Sequence, residues 1–180
     1  DVLSNLDREE DAIKAYDACI QKFSNETDTE IKQQVADVMN RKGVVLSNLD
    51  REEDAIKAYD ACIQKFSNET DTTIKQAVAW AMRNKVVDLF DLNRYDDVIQ
   101  VSNELLQKFG NETDTEIKQQ VAWAILRKGY AYSWLDRFET YRSILEELIQ
   151  QFSNETDEEI EEIQDIVKEA REKLNELNKE

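Results

Sequence analysis

The side chains able to do chemistry in this chain fall into four groups, each with a plain structural reading beside the functional one. Carboxylates gather at Asp50, Glu52, Glu53 and Asp54, a set that could act as an acid–base pair or as hard metal ligands. At the start of a helix the same charges simply complement the positive end of the dipole, and a solvated face is expected. Two thiols, Cys19 and Cys62, stand 43 residues apart; both read as reduced, buried, small hydrophobes rather than a disulfide or redox pair. Asn-Glu-Thr occurs at Asn25, Asn68, Asn111 and Asn154 and fits the glycosylation acceptor pattern, yet it is one loop copied four times. The fourth group is apolar: Trp123, Leu126, Tyr130 and Trp134 follow at helical intervals, which suits binding rather than bond-making. There is no histidine, no phosphate-cradling glycine loop, and no base beside either cysteine. Catalysis, cofactors and metals are therefore not expected.

Bulk properties narrow the classes further. The chain has 180 residues, 41% hydrophobic and 35% charged, with 8% aromatics, three glycines and no proline. That balance fills a core and favours helix over turn-rich β structure. A formal charge of -17 argues against nucleic acid or an anionic membrane as partner, because phosphate binding draws on clustered Lys and Arg. No apolar run approaches the ~20 residues of a membrane span, and no charged-then-apolar leader is present. A soluble protein is expected, cytoplasmic if natural or produced as a recombinant protein.

Phe23, Phe66, Phe109 and Phe152 mark a 43-residue period. Val2–Thr29 recurs letter for letter as Val45–Thr72, and Asn25–Ala36 as Asn111–Ala122. Identity over solvent positions points to a very recent duplication or to an engineered, consensus-built scaffold. The expected division is a single repeat domain, 1–180, made of a partial repeat (1–24), three full repeats (25–67, 68–110, 111–153) and a capping helix (154–180). A period of this size is the signature of a solenoid, in which each unit buries its apolar face against its neighbours.

Each repeat holds two helices. Helix A, roughly Thr29 to Asn48, carries Ile31, Val35, Val38, Met39, Val45, Leu46 and Leu49 as its core stripe, and helix B, over Asp50–Phe66, carries Ala55, Ile56, Tyr59, Cys62, Ile63 and Phe66. Asp or Asn before Arg, at Asp50, Asn93 and Asp136, should make the tight turn between them. Thr27 with Glu30, Thr113 with Glu116 and Thr156 with Glu159 fit the capping box at the start of helix A. Thr70 meets Thr73 instead and should cap more weakly. From Asp157 to Leu177 one face shows Ile160, Ile163, Ile166, Val167, Ala170, Leu174 and Leu177 against charge elsewhere, as a terminal cap requires. The N-terminus begins inside the end of an A helix, at Val2, Leu3 and Leu6, so fraying is expected there.

The stretch Lys42–Gln64, KGVVLSNLDREEDAIKAYDACIQ, resembles the central part of the tetratricopeptide repeat: small Gly43 where A and B touch, Ala55 at the crossing, aromatic Tyr59 and small Cys62. Tyr95 and Phe138 supply an aromatic early in helix B that the family often has. Departures are Val86 for the glycine, Val98 and Tyr141 for the alanine, Ser102 and Leu145 for the tyrosine, and no proline after helix B. The unit resembles the extended members of the family, with helix A lengthened. The resemblance implies an all-α, right-handed α-solenoid of antiparallel helix-turn-helix repeats with a C-terminal capping helix, and a concave groove lined by A helices that takes a peptide or protein segment.

Because the repeats are each other's reference, their disagreements can be sorted by helix face. The side of helix A opposite the core stripe differs most, giving Asp37, Trp80 and Trp123; Asn40, Arg83 and Leu126; Arg41, Asn84 and Arg127; Val44, Val87 and Tyr130; Asn48, Asp91 and Trp134. An exposed stripe of Trp123, Leu126, Tyr130 and Trp134 would mark an interaction site. The plain reading is that these rings pack between A helices or under the cap. The candidate partner-binding residues are thus Asn40, Arg41, Trp80, Arg83, Asn84, Val87, Trp123, Leu126, Arg127, Tyr130 and Trp134. The aromatic face or the open N-terminal face also offers a route to a homo-oligomer, or the chain is a designed scaffold with no natural ligand.

Overall fold

The computed structural model describes residues 2–153 and 161–179, with side chains from residue 8 onward. Eight helices are seen among the described residues: α1 (Val2–Phe23), α2 (Thr29–Asn48), α3 (Glu52–Phe66), α4 (Thr72–Asp91), α5 (Tyr95–Phe109), α6 (Thr115–Trp134), α7 (Phe138–Phe152) and α8 (Glu161–Leu177). The chain is all-α, and helices adjacent in sequence pack as hairpins: α1 on α2 and α2 on α3, then α5 on α6, α6 on α7 and α7 on α8. It divides into two compact units, Asp1–Asp88 and Leu89–Glu180, with the boundary inside α4. Among the described residues no helix is long and apolar enough to cross a membrane.

The turn from A to B is the same in three repeats. Asp50, Asn93 and Asp136 sit at φ 56°, 58° and 56°, in the left-handed region that Asp and Asn tolerate because their short side chains bond locally. Around Asp50 the Arg51 N–H reaches back to the Leu46 carbonyl at 3.0 Å and the Asp50 N–H to Ser47 at 3.0 Å. Those two bonds satisfy carbonyls that the helix end would leave open. Arg94 to Leu89, at 2.8 Å, and Arg137 to Tyr132, at 2.9 Å, repeat the long bond.

Two sequence expectations about helix ends change. The residue capping helix A is the aspartate after the threonine: Asp28 accepts from the Glu30 and Ile31 N–H groups at 3.0 and 3.2 Å, and Asp114 from Ile117 at 3.1 Å. Asp71 does the same for Ile74 at 3.1 Å, so α4, expected to be capped weakly at Thr70, has an equivalent cap. A carboxylate adds charge complementarity to the hydrogen bond, which a threonine hydroxyl does not. The Thr156–Glu159 box lies outside the described residues, as does Ile160.

The second change is at the N-terminus. Val2–Glu10 is continuous helix, whereas the identical letters Val45–Glu53 form a helix end, a turn and a helix start. A left-handed residue costs about 1–2 kcal/mol and is tolerated when the turn lets one helix pack on the next. Through Leu6-Asp7-Arg8 the chain instead stays helical, as the good helix formers around it favour.

The core follows the expected stripes. Val35, Met39 and Leu46 of α2 meet Ala55, Ile56, Tyr59, Cys62 and Phe66 of α3, all buried; Ile31, Val38, Val45, Leu49 and Ile63 are half-buried. Gly43 permits the closest approach in this hairpin, since a Cβ there would lie 2.3 Å from the Tyr59 ring. In the second unit α8 buries Ile163, Ile166, Val167 and Ala170 and exposes most of its charged residues, packing on both α6 and α7. It thereby covers the last hairpin as a terminal cap.

Candidate functional site

In the first unit, α2 and the body of α4 are joined by polar contacts between successive A helices. Lys32 bonds Glu69 at 2.9 Å and Gln33 bonds Asp71 at 3.0 Å at the loop end, and the Ser47 hydroxyl donates to Asp88 at 2.8 Å at the other. Between them the Asn40 amide donates to the Ala77 carbonyl at 2.9 Å. Asn40 is 4% exposed, so this candidate binding residue is a packing residue holding α2 to α4, a correction to its expected place on an open face. Burial follows from its position, since the side of α2 opposite the B helix is also the side that meets the next A helix.

Arg41 remains exposed and is paired with Asp37 one turn earlier at 2.7 Å, a hydrogen bond and charge that raise its already high pKa. Trp80, Arg83, Asn84 and Val87 on α4 are half-buried. The Asn84 amide nitrogen is itself buried and has no acceptor. Asp88 is a residue that sequence reasoning overlooked. It is 1% exposed where the equivalent positions hold Val45 and Ala131, a disagreement on the core side that the face sorting set aside. Burial, and then the charge of Asp88, push the Tyr59 phenol well above its usual range.

The B-helix side of this unit is laced with ion pairs. Lys42–Asp17 and Lys85–Asp60 both measure 2.6 Å, one contact repeated. Asp54 is held by Lys57 at 2.9 Å and by Arg51 at 3.1 Å, and Arg51 also reaches Glu10 at 3.0 Å. The Lys57 and Arg51 hydrogen bonds keep the Asp54 carboxyl below the usual carboxylate range. Of the carboxylate cluster, Asp54 is thus taken up by neighbouring cations.

In the second unit the stripe on α6 splits along its length. Trp123 and Leu126 are 8% and 2% exposed, so they are buried rather than part of the open apolar face expected of them. The Arg127 guanidinium lies over the rings of Trp123, Tyr130 and Phe90 at 4.9, 5.8 and 5.9 Å. Its attraction to their negative faces occupies a cation that sequence reasoning assigned to a partner. Tyr130 is half-buried and its hydroxyl donates to Glu169 of α8; burial, then that bond and charge, raise its pKa.

Trp134, at the end of α6, is 65% exposed. One face of its indole is stacked on Tyr95, with centroids 5.9 Å apart and planes 8° from parallel, and Tyr95 in turn meets the edge of Phe90 at 5.3 Å. Phe138 at the start of α7 is 50% exposed. With Tyr130, Ser133, Tyr141, Lys173, Glu176 and Leu177 these two rings border a cavity of about 370 Å³. Of these, sequence reasoning had placed Tyr130 and Trp134 at a site. Phe138 stands where the second repeat has Glu52, and that exchange was the available signal.

A tetratricopeptide repeat model matches residues 36–64 and a second one matches residues 123–155. Neither a curated protein nor a solved structure matches the chain. The two matches fall on the α2–α3 and α6–α7 hairpins, where the left-handed turn and the small glycine sit. The chain is a tetratricopeptide-like helical repeat protein.

Proposed function

We propose that the chain is a non-catalytic scaffold that binds a peptide or protein segment along the variable face of its A helices. In the first unit this surface comprises Arg41, Trp80, Arg83, Asn84 and Val87; in the second, Arg127, Tyr130 and Trp134. Asn40, Trp123 and Leu126 act beneath it as packing. Tetratricopeptide repeats generally mediate protein–protein interaction, and Trp134 is the observation that carries the reading here. An indole left 65% exposed keeps a large apolar surface in water, where its burial by a partner would return about 25 cal/mol per Å².

Peptides selected by display against the chain are expected to lose about tenfold or more in affinity on Trp134→Ala and on Asn84→Ala. Melting temperatures of these variants should stay close to the parent's. Trp123→Ala is the packing control and should lower the melting temperature. Selected peptides that bind both surface variants as tightly as the parent would overturn the assignment.

The exposure of Trp134 and Phe138 also favours a second reading, in which the aromatic face of one copy meets that of another. Light scattering over a concentration series reads this directly. A strict monomer at high micromolar concentration removes it.

A further inference from the structure

The aromatic cavity between the ends of α6, α7 and α8 has a lining with a specific chemical preference. Trp134 and Phe138 are the exposed large hydrophobic side chains among the described residues, and both border this cavity. Tyr130 and Tyr141 stand beside them with centroids 6.0 Å apart. Because Tyr95 stacks on one face of the Trp134 indole, the other face is left with its negative quadrupole unused.

The cations around the cavity are already engaged. Lys173 is held by Glu176 at 2.8 Å, Arg127 lies over the Tyr130 ring at 5.8 Å and Arg142 donates to the Leu177 carbonyl at 3.2 Å, while Glu176 borders the cavity and Glu169 accepts the Tyr130 hydroxyl. The Glu176 hydrogen bond, and then the charges of Glu176, Glu169 and Glu172, raise the Lys173 pKa. Burial and then the charges of Glu176 and Glu169 push the Tyr141 phenol up to about 12. An apolar partner group would gain from the rings alone, whereas a cation gains from rings and carboxylates together. The chain as a whole carries -17, which draws basic segments toward it.

We infer that this cavity is a binding site for an arginine side chain presented by a basic protein segment, the guanidinium lying against Trp134 and Phe138 and paired with Glu176. A planar guanidinium suits the site better than an ammonium because it can stack on a ring and still donate to a carboxylate in its own plane. Arg127 already makes the stacking half of this arrangement in the same unit, over Trp123, Phe90 and the cavity's own Tyr130. The inference rests on the protein-binding reading for the natural partner alone, since the chemical preference of the cavity is a property of the second unit by itself.

The test uses the full chain and small probes. Three tryptophans give three indole N–H signals in a proton–nitrogen NMR spectrum, and Trp134→Phe assigns the relevant one. Acetyl-Gly-Arg-Gly-amide is expected to shift the Trp134 signal saturably, and the neutral isostere acetyl-Gly-citrulline-Gly-amide to bind at least about fivefold more weakly. Glu176→Gln and Phe138→Ala should each weaken the arginine peptide about threefold or more, and both side chains are exposed enough to replace without unfolding the unit. Equal shifts from the two peptides, no shift at Trp134, or arginine binding that survives both variants would each overturn the inference. Failure of the display experiment leaves this result untouched, and the converse also holds, so the two readings fail separately.

Discussion

The ring of Tyr59 lies against Gly43, so close that a Cβ on the glycine would stand 2.3 Å from its Cε1 atom. At the same repeat position Gly129 meets Tyr141 instead, at 3.2 Å, because the tyrosine has moved one helical turn along the B helix. Gly43→Ala must displace a buried ring, and overpacking of about 1–3 kcal/mol should outweigh the ~1 kcal/mol of helix propensity gained. At Gly129 the ring has to yield only a few tenths of an ångström. Urea melts should show Gly43→Ala clearly destabilised and Gly129→Ala close to neutral.

The left-handed turn allows one letter to be tested in two settings. Asp50→Gly removes the Cβ penalty at φ 56° and should raise the melting temperature slightly, by an amount equivalent to ~0.5 kcal/mol. Asp7→Gly changes the identical residue of the preceding copy where it is helical, and should speed amide exchange across residues 2–10. A stabilising Asp7→Gly would show that α1 adopts the turn after all.

Helix A owes its start to aspartate. Asp114→Ala should cost about 1 kcal/mol by losing the bond to the Ile117 N–H. Thr113→Ala, which the capping-box reading would make the damaging change, should be nearly silent in the same chemical denaturation series. The reverse ranking would restore the threonine as the cap.

Cys19 and Cys62 share the same neighbours in sequence but not in space. Cys62 is fully buried, its thiol lying 3.8 Å from the Ala36 carbonyl, and burial pushes it from an ordinary 9.0 up to about 12; Cys19 is half-exposed. A thiol reagent at pH 8 should therefore modify one cysteine per native chain rapidly and the second only after denaturant is added. The sign of the linkage follows from the raised value: the unfolded thiol ionises first. The contribution of Cys62 to stability is intact below pH 9 and is lost as the pH climbs toward 12. Urea midpoints over that window should fall more steeply for the parent than for Cys62→Ala.

The period, the helix type and the bounds of helix A at Thr29–Asn48 belong to the sequence alone. Apolar spacing, a local matter of periodicity, marks the B-facing side of each helix, and Asp-Arg or Asn-Arg marks where A ends at Asp50, Asn93 and Asp136 but not at Asp7. The cap was legible only to within one residue, since Thr27 and Asp28 are both capable acceptors and backbone geometry selects between them. Three things were settled by tertiary structure. Val2–Glu10 and Val45–Glu53 share every letter and differ in fold, so the turn is not decided by its own residues. Asn40, Trp123 and Leu126 sit on the face that periodicity marks as outward, yet they are buried, because a repeat helix has neighbours on more than one side. Trp134, one turn beyond Tyr130 on the same stripe, stays open beside Phe138, and no spacing rule distinguishes it from Trp123. Whether a ring meets water depends on what the rest of the fold has already covered.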